Sequence, residues 1–229
     1  MKQLALDLGL AARPSLSSFF AGSNEAALKH LEQCTFIPTP SPVPTYLWGE
    51  SGCGKTHLLC AVRDALQGRG LQVGWLDANT AEPAEFDDNW AAVLMDDVHL
   101  YNREQQHAAF NWFVNAMTPH EGKLRWVLTA GELPPADMVF LREDLRTRLG
   151  WGHVFALQLL REPERRAVLR HQAQERGLVL RTEVMDFMMS HFSRDLGSLT
   201  VLLDHLDTYA LQTQRAITIP LIKSMLENE

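Results

Sequence analysis

Eight consecutive residues, Gly49-Glu50-Ser51-Gly52-Cys53-Gly54-Lys55-Thr56, fit the pattern G-x-x-x-x-G-K-[ST] at every fixed position. The chemistry of that pattern is phosphate binding. Glycines let backbone N–H groups turn inward around an anion, the lysine meets the outer phosphates, and the threonine hydroxyl suits a Mg²⁺ ion. Gly49, Ser51, Gly52, Cys53, Gly54, Lys55, Thr56 and the following His57 form the expected nucleotide-binding set. Further along, Asp96-Asp97 closes the apolar run Ala91-Ala92-Val93-Leu94-Met95. A carboxylate pair at the carboxyl end of a buried strand can divide the work beside a phosphate loop. One can hold the Mg²⁺ shell while the other orients or activates water. ADP or ATP with Mg²⁺ is the expected cargo.

These groups need elements to place them. Thr45-Tyr46-Leu47-Trp48 reads as a short buried strand entering the loop, and residues 57–67 as the helix leaving it. Leu58, Leu59, Val62, Ala65 and Leu66 fall on one face of that helix, whose N-terminus adds partial positive charge at the loop. Strands are also expected at 71–76, 91–95, 125–129 and 153–157. Ser23 or Asn24 can cap a helix running through Leu28 and Leu31, and Pro38, Pro40, Pro42 and Pro44 demand a loop. Residues 77–88 are polar with poor periodicity. A helix over 102–117 offers Phe110, Phe113, Ala116 and Met117 as its buried stripe, with Trp112 unassigned. A short charged helix spans 141–149. Strands alternating with helices predict an α/β fold, a five-stranded parallel P-loop sheet with helices on both faces.

After Leu160 the pattern turns wholly helical: 164–176, a helix capped by Thr182 and running to 192, 194–212, and one opened by Pro220. Met185, Met188 and Met189 at helical spacing read as core. The expected organisation is a flexible N-terminal tail at 1–17, an α/β nucleotide-binding domain at 18–160 and a small all-α lid at 161–229.

Composition narrows the partners. A formal net charge of −7 argues against broad, sequence-independent binding to nucleic acid, and Arg165, Arg166 and Arg170 read as a solvated helix face. Three cysteines, Cys34, Cys53 and Cys60, have no metal spacing and suit a reducing compartment. Cys53 inside the loop behaves as a small hydrophobe. No apolar run approaches the roughly 20 residues that span a bilayer. Asp7 interrupts the only apolar stretch near the N-terminus, so no signal peptide is expected and the protein should be cytoplasmic.

Three further stretches carry a family resemblance. Asp144-Leu145-Arg146-Thr147-Arg148-Leu149-Gly150-Trp151-Gly152 closely resembles the arginine-finger segment of the bacterial initiator DnaA, a P-loop ATPase of the AAA+ superfamily. Phe20-Ala21-Gly22-Ser23-Asn24 is similar to that family's adenine-side motif, and Ser193-Arg194-Asp195-Leu196 to its sensor 2 segment. The sequence reaches Glu229 just after the lid, without the DNA-reading helix-turn-helix of DnaA. Gln3-Leu4-Ala5-Leu6-Asp7-Leu8 resembles the motif that bacterial proteins insert into the replicase sliding clamp, through Gln3, Leu4, Leu6 and Leu8. Thr213-Gln214-Arg215-Ala216-Ile217-Thr218-Ile219-Pro220 looks like a stretch of the DnaA paralogues that act as regulatory inactivators.

The resemblance implies a negative regulator of replication initiation, clamp-bound, that promotes hydrolysis of DnaA-bound ATP through Arg148 in trans. It assigns Lys55 and Thr56 to phosphates and Mg²⁺, Asp96 to the metal shell, Asp97 to the water, and Asn24 and Arg194 to the nucleotide. Thr129 is the sensor 1 candidate, with Glu132 as the nearby acid because Gly131 fills the aligned position. Paralogues of this kind work with ADP bound, so efficient hydrolysis by the chain itself is not implied. DnaA and the polymerase III β clamp are the implied partners, a homo-oligomer is open, no membrane is involved, and DNA is reached only through them. Two other functions fit the residues: an autonomous AAA+ ATPase in a helicase or clamp loader, and a DnaA-like anchoring protein.

Overall fold

The structure, a computed structural model, describes residues 14–37, 43–118, 123, 125–192 and 196–227. The clamp-motif residues Gln3, Leu4, Leu6 and Leu8, the loop prolines 38, 40 and 42, and Arg194 lie outside the described residues. The chain divides into two compact units, one spanning Pro14–Leu159 and the other containing Leu160 onward.

In the first unit the order is α1 (Glu25–Phe36), β1 (Thr45–Trp48), α2 (Lys55–Gly68), β2 (Gln72–Leu76), β3 (Trp90–Met95), α3 (Arg103–Met117), β4 (Trp126–Gly131), α4 (Glu143–Leu149) and β5 (His153–Ala156). The five strands pair in parallel in the order β2-β3-β4-β1-β5. Strand periodicity sorts the core onto two faces. Leu47, Leu94, Leu128 and Ala130 pack with α1 and α2 through Leu31, Leu58, Leu59 and Val62. Tyr46, Val93, Met95 and Val127 pack on the other face with α3 and α4 through Ala109, Trp112, Phe113, Leu145 and Leu149. Strands buried on both sides must be apolar at every position, which is why 91–95 carries no polar residue.

Several expectations shift. Residues 14–17 are not detached: Leu16 is buried in the core beside α1 and α2, because an apolar side chain there fills space that a tail would leave open. The α3 stripe rotates. Trp112 is buried and Phe110 is only half-buried, because the Trp112 indole N–H finds an acceptor in the Ala84 carbonyl at 3.0 Å. The same helix pins the aperiodic stretch after β2: Gln105 donates to the carbonyls of Asp77, Ala78 and Thr80. Asn102 caps α3 in a reciprocal capping box with Gln105. Arg125, just ahead of β4, is buried, bonds Asp88 and lies over the Phe86 ring.

The second unit holds α5 (Glu162–Glu175), α6 (Thr182–His191), α7 (Leu196–Thr213) and α8 (Ile219–Glu227). Met185, Met188, Met189 and Met225 sit among Leu169, Val184, Leu199, Leu202 and Leu206. Thr182 is the first helical residue of α6 rather than its cap, and Arg181 precedes it without a side-chain capping bond. Arg166 on α5 is paired with Glu162 and Asp186. No helix among the described residues is long and apolar enough to cross a membrane.

Candidate nucleotide site and finger helix

β1 delivers the chain to the loop and α2 takes it away, so Lys55 and Thr56 open the first turn of α2. Gly54 caps that helix at φ 98°, in the left-handed region that side chains avoid. A Cβ there would come within 2.6 Å of the Phe19 ring. Phe19 also lies against His57, with ring centroids 5.7 Å apart, and His57 Nε2–H donates to the Ser15 carbonyl at 3.2 Å. Burial lowers the pKa of His57. The segment before α1 is thereby fastened across the loop. Gly54→Ala should cost about 1–3 kcal/mol from backbone conformation and Phe19 displacement together. Urea unfolding with and without ADP measures it, and a smaller gain from ADP in the variant is expected because the loop itself is distorted.

Lys55 is buried and donates from Nζ to the carbonyls of Gly49 at 2.7 Å and Glu50 at 3.1 Å. Cys53 Sγ accepts a longer contact from it at 3.8 Å. Burial raises the Cys53 thiol pKa more than the Lys55 charge lowers it, so this cysteine stays a protonated packing group.

β3 places Asp96 at its carboxyl end. Burial pushes its pKa up to about 6, against a hydrogen bond from Thr56, while the neighbouring Asp97 adds to the rise. Asp97 stands at φ 50°, a left-handed conformation that aspartate tolerates better than most side chains, and its N–H donates to Asp96 Oδ1 at 3.0 Å. The chain then turns through Val98–Leu100, which aims His99 toward the end of β4.

The donor set fits a Mg-nucleotide. The loop glycines with positive φ, the buried lysine and the α2 N-terminus suit phosphates. Thr56 and Asp96 offer one hydroxyl and one carboxylate, and no trio of His, Cys, Asp or Glu among the described residues could hold a metal alone. Such a set would suit Mg²⁺, which takes few protein ligands and lets phosphates and water complete its shell.

Two expected site residues bond within the fold. Asn24 is buried, its amide donating to the Gln158 carbonyl at 2.9 Å and accepting from the Gln158 N–H at 2.7 Å. It clasps the chain, and neither its side chain nor that of Ser23 caps α1. Thr129 is not at a strand end. β4 continues to Gly131, and the buried Thr129 hydroxyl donates to the Thr45 carbonyl at 3.4 Å. Gly131 has its own reason: a Cβ would lie 2.3 Å from the Tyr46 hydroxyl, which passes over it to donate to the Leu133 carbonyl. Glu132 follows directly, its carboxylate 3.4 Å from His99 Nε2. His99 was not singled out by the sequence, because only the pairing of β3 with β4 brings it to Glu132.

α4 presents Arg148. Its guanidinium donates to the Asp144 carbonyl at 2.8 Å and rests over two rings, Phe110 at 4.7 Å and Trp151 at 5.1 Å. Among the described residues Arg148 forms no ion pair. Arg142 lies over the same Phe110 ring at 5.2 Å but is neutralised by Asp144.

The family described as the bacterial DnaA ATPase domain matches residues 10–156 of this sequence. The chain belongs to that family. Its second unit matches the lid domain described for Hda over residues 162–226. The DnaA-family fold is also seen in solved structures. Domain III of Thermotoga maritima DnaA superposes with a TM-score of 0.69 at 19% identity, covering 96% of this chain and 98% of that one. AMPPCP-bound DnaA from Aquifex aeolicus gives 0.66 at 21% identity, covering 89% and 68%. Thermotoga maritima RuvB gives 0.62 at 15% identity, covering 93% and 71%. At these identities the likeness concerns fold. A DnaA-family ATPase domain followed by an Hda-type lid places the chain among DnaA-related replication proteins.

Proposed function

We propose that this protein is a nucleotide-bound regulatory partner of DnaA that supplies Arg148 to the ATP of a neighbouring DnaA molecule and promotes its hydrolysis. The observation carrying this reading is the state of Arg148. A cation held on two aromatic faces and one main-chain carbonyl, with no carboxylate in ion-pair contact among the described residues, is oriented yet available, which is what a trans-acting finger requires. A salt-bridged helix-end arginine would have met a carboxylate, as Arg142 does.

The chain's own loop serves shape in this reading. Lys55 and the α2 N-terminus bind phosphates, Thr56 and Asp96 hold Mg²⁺, and the bound ADP or ATP fixes the segment that Phe19, His57 and Asn24 fasten to the sheet. Mg²⁺ supplies charge neutralisation between the phosphates when bound. The solved DnaA of Aquifex aeolicus carries AMPPCP, which supports nucleotide binding here.

The N-terminal Gln3-Leu4-Ala5-Leu6-Asp7-Leu8 is the proposed tether to the sliding clamp. An extended segment gains affinity from alternate side chains in pockets, and tethering raises the effective concentration of the finger near DnaA on DNA. The deciding experiment is hydrolysis of DnaA-bound ATP with and without DNA-loaded clamp. Deleting residues 1–8 should remove the clamp dependence and clamp association while ADP binding persists. Clamp association that survives the deletion would overturn the tether, and absent stimulation with all components present would overturn the regulatory reading.

A further inference from the structure

We infer that His99 is a positioning residue that stands between Asp97 and Glu132 and thereby restrains ATP hydrolysis in this chain's own pocket. The inference rests on the reading of the loop as a nucleotide site, and not on the role of Arg148. β3 and β4 are adjacent parallel strands, so the residues leaving their carboxyl ends face one another across the sheet edge where phosphates would lie. Asp97 follows β3, Glu132 follows β4, and the His99 ring stands between them. Its Nε2 is 3.4 Å from Glu132 Oε2 and its Nδ1 is 4.0 Å from Asp97 Oδ1. The His99 side chain is 14% exposed against 39% for Asp97 and 50% for Glu132, and its Nδ1 is buried without a hydrogen-bond partner.

Activating water for attack on a phosphate needs a carboxylate within hydrogen-bond reach of that water. Asp97 is one methylene shorter than glutamate, and Glu132 leaves the adjacent end of β4, whereas Asp77, which leaves β2, is engaged by the Trp75 indole N–H and the Thr80 hydroxyl. The imidazole separates these two groups. At 3.4 Å from Glu132 its Nε2 edge occupies ground where water would otherwise meet that carboxylate, and its ring lies between the two acids. A left-handed backbone at Asp97 keeps this arrangement, since φ 50° turns the chain directly into the short helix that carries His99. A pocket built this way binds nucleotide through the loop yet is slow to turn it over.

The test uses the full-length protein. His99→Ala should raise ATP turnover by about tenfold or more, a fraction of what a positioned base contributes, with ADP affinity within twofold or so of the parent. His99→Gln, which keeps a polar side chain beside Glu132, should give a smaller rise, and adding Asp97→Asn to His99→Ala should abolish the gain. A purely structural histidine would give no gain when removed. Unchanged or reduced turnover in His99→Ala that still binds ADP overturns the proposal. A readout independent of turnover is the ¹⁵N signal of the His99 ring in nucleotide-free protein. Glu132→Gln should shift the Nε2 signal, and an unmoved signal overturns the proposal even if His99→Ala fails to fold. Failure of the parent to bind ADP or ATP would instead overturn the nucleotide reading.

Discussion

Replacing Arg148 with alanine is expected to lower stimulated hydrolysis of DnaA-bound ATP by about 10³- to 10⁵-fold, the range that arginine fingers contribute. The size follows from where the charge acts. Negative charge moves onto the bridging and leaving oxygens only in the transition state, so a fixed guanidinium raises rate rather than ground-state affinity. Binding to clamp and to DnaA should therefore fall little while single-turnover hydrolysis collapses. The fold should tolerate the change, because α4 is anchored by Leu145 and Leu149, both buried, while Arg148 is only half-buried. Arg148→Lys should fail almost as badly. An ammonium cannot lie flat on Phe110 and Trp151 while presenting a planar fork. Full stimulation by the alanine variant, measured as loss of labelled ATP from DnaA, would remove Arg148 from the mechanism.

How much of this was legible in the sequence divides along a physical line. Local patterns were readable: the phosphate loop, the apolar run ending in Asp96-Asp97, and the alternation that yields five parallel strands all depend on neighbours in sequence. What was missed depends on contacts across the sheet. Thr129 looked like a strand end because Ala130-Gly131 looks like a turn, yet the glycine is needed inside the strand to clear the Tyr46 hydroxyl on β1. Phe110 and Trp112 cannot be ranked by helical spacing; the Ala84 carbonyl, supplied by a distant loop, decides between them. Phe110 then becomes the platform for Arg142 and Arg148, a role with no signature in a single helix. The match of the Asn24 amide to the main chain of Gln158, more than a hundred residues later, likewise has no local signature. His99 belongs to the same class.

Asp96→Asn is expected to stabilise the nucleotide-free protein near pH 7.5 while removing the stabilisation that Mg-nucleotide gives. Burial raises the folded-state pKa of Asp96 from 3.8 to about 6. Below about pH 4 the group is protonated in both the folded and unfolded chain and has no net effect. As pH rises toward 6 the unfolded chain releases its proton first, so the folded state falls behind. Above 6 both are ionised and the folded protein carries the full cost of a buried carboxylate, about 3 kcal/mol for this displacement. Asparagine removes the charge and keeps an oxygen for Thr56 and for the Asp97 N–H. The gain should therefore hold from pH 7.5 down to about pH 6 and shrink between about pH 6 and pH 4, a profile that urea unfolding can follow. Mg²⁺ reverses the sign, since a divalent cation beside Thr56 and Asp96 makes the ionised carboxylate favourable. Parent protein with Mg-ADP should gain more stability than the variant does. A variant less stable than the parent at pH 7.5 without nucleotide would mean that the Asp96 charge is already compensated within the fold. The expected crossover says the opposite: this carboxylate is held at a cost to the folded chain, and the cost is offset only when metal and phosphate arrive together.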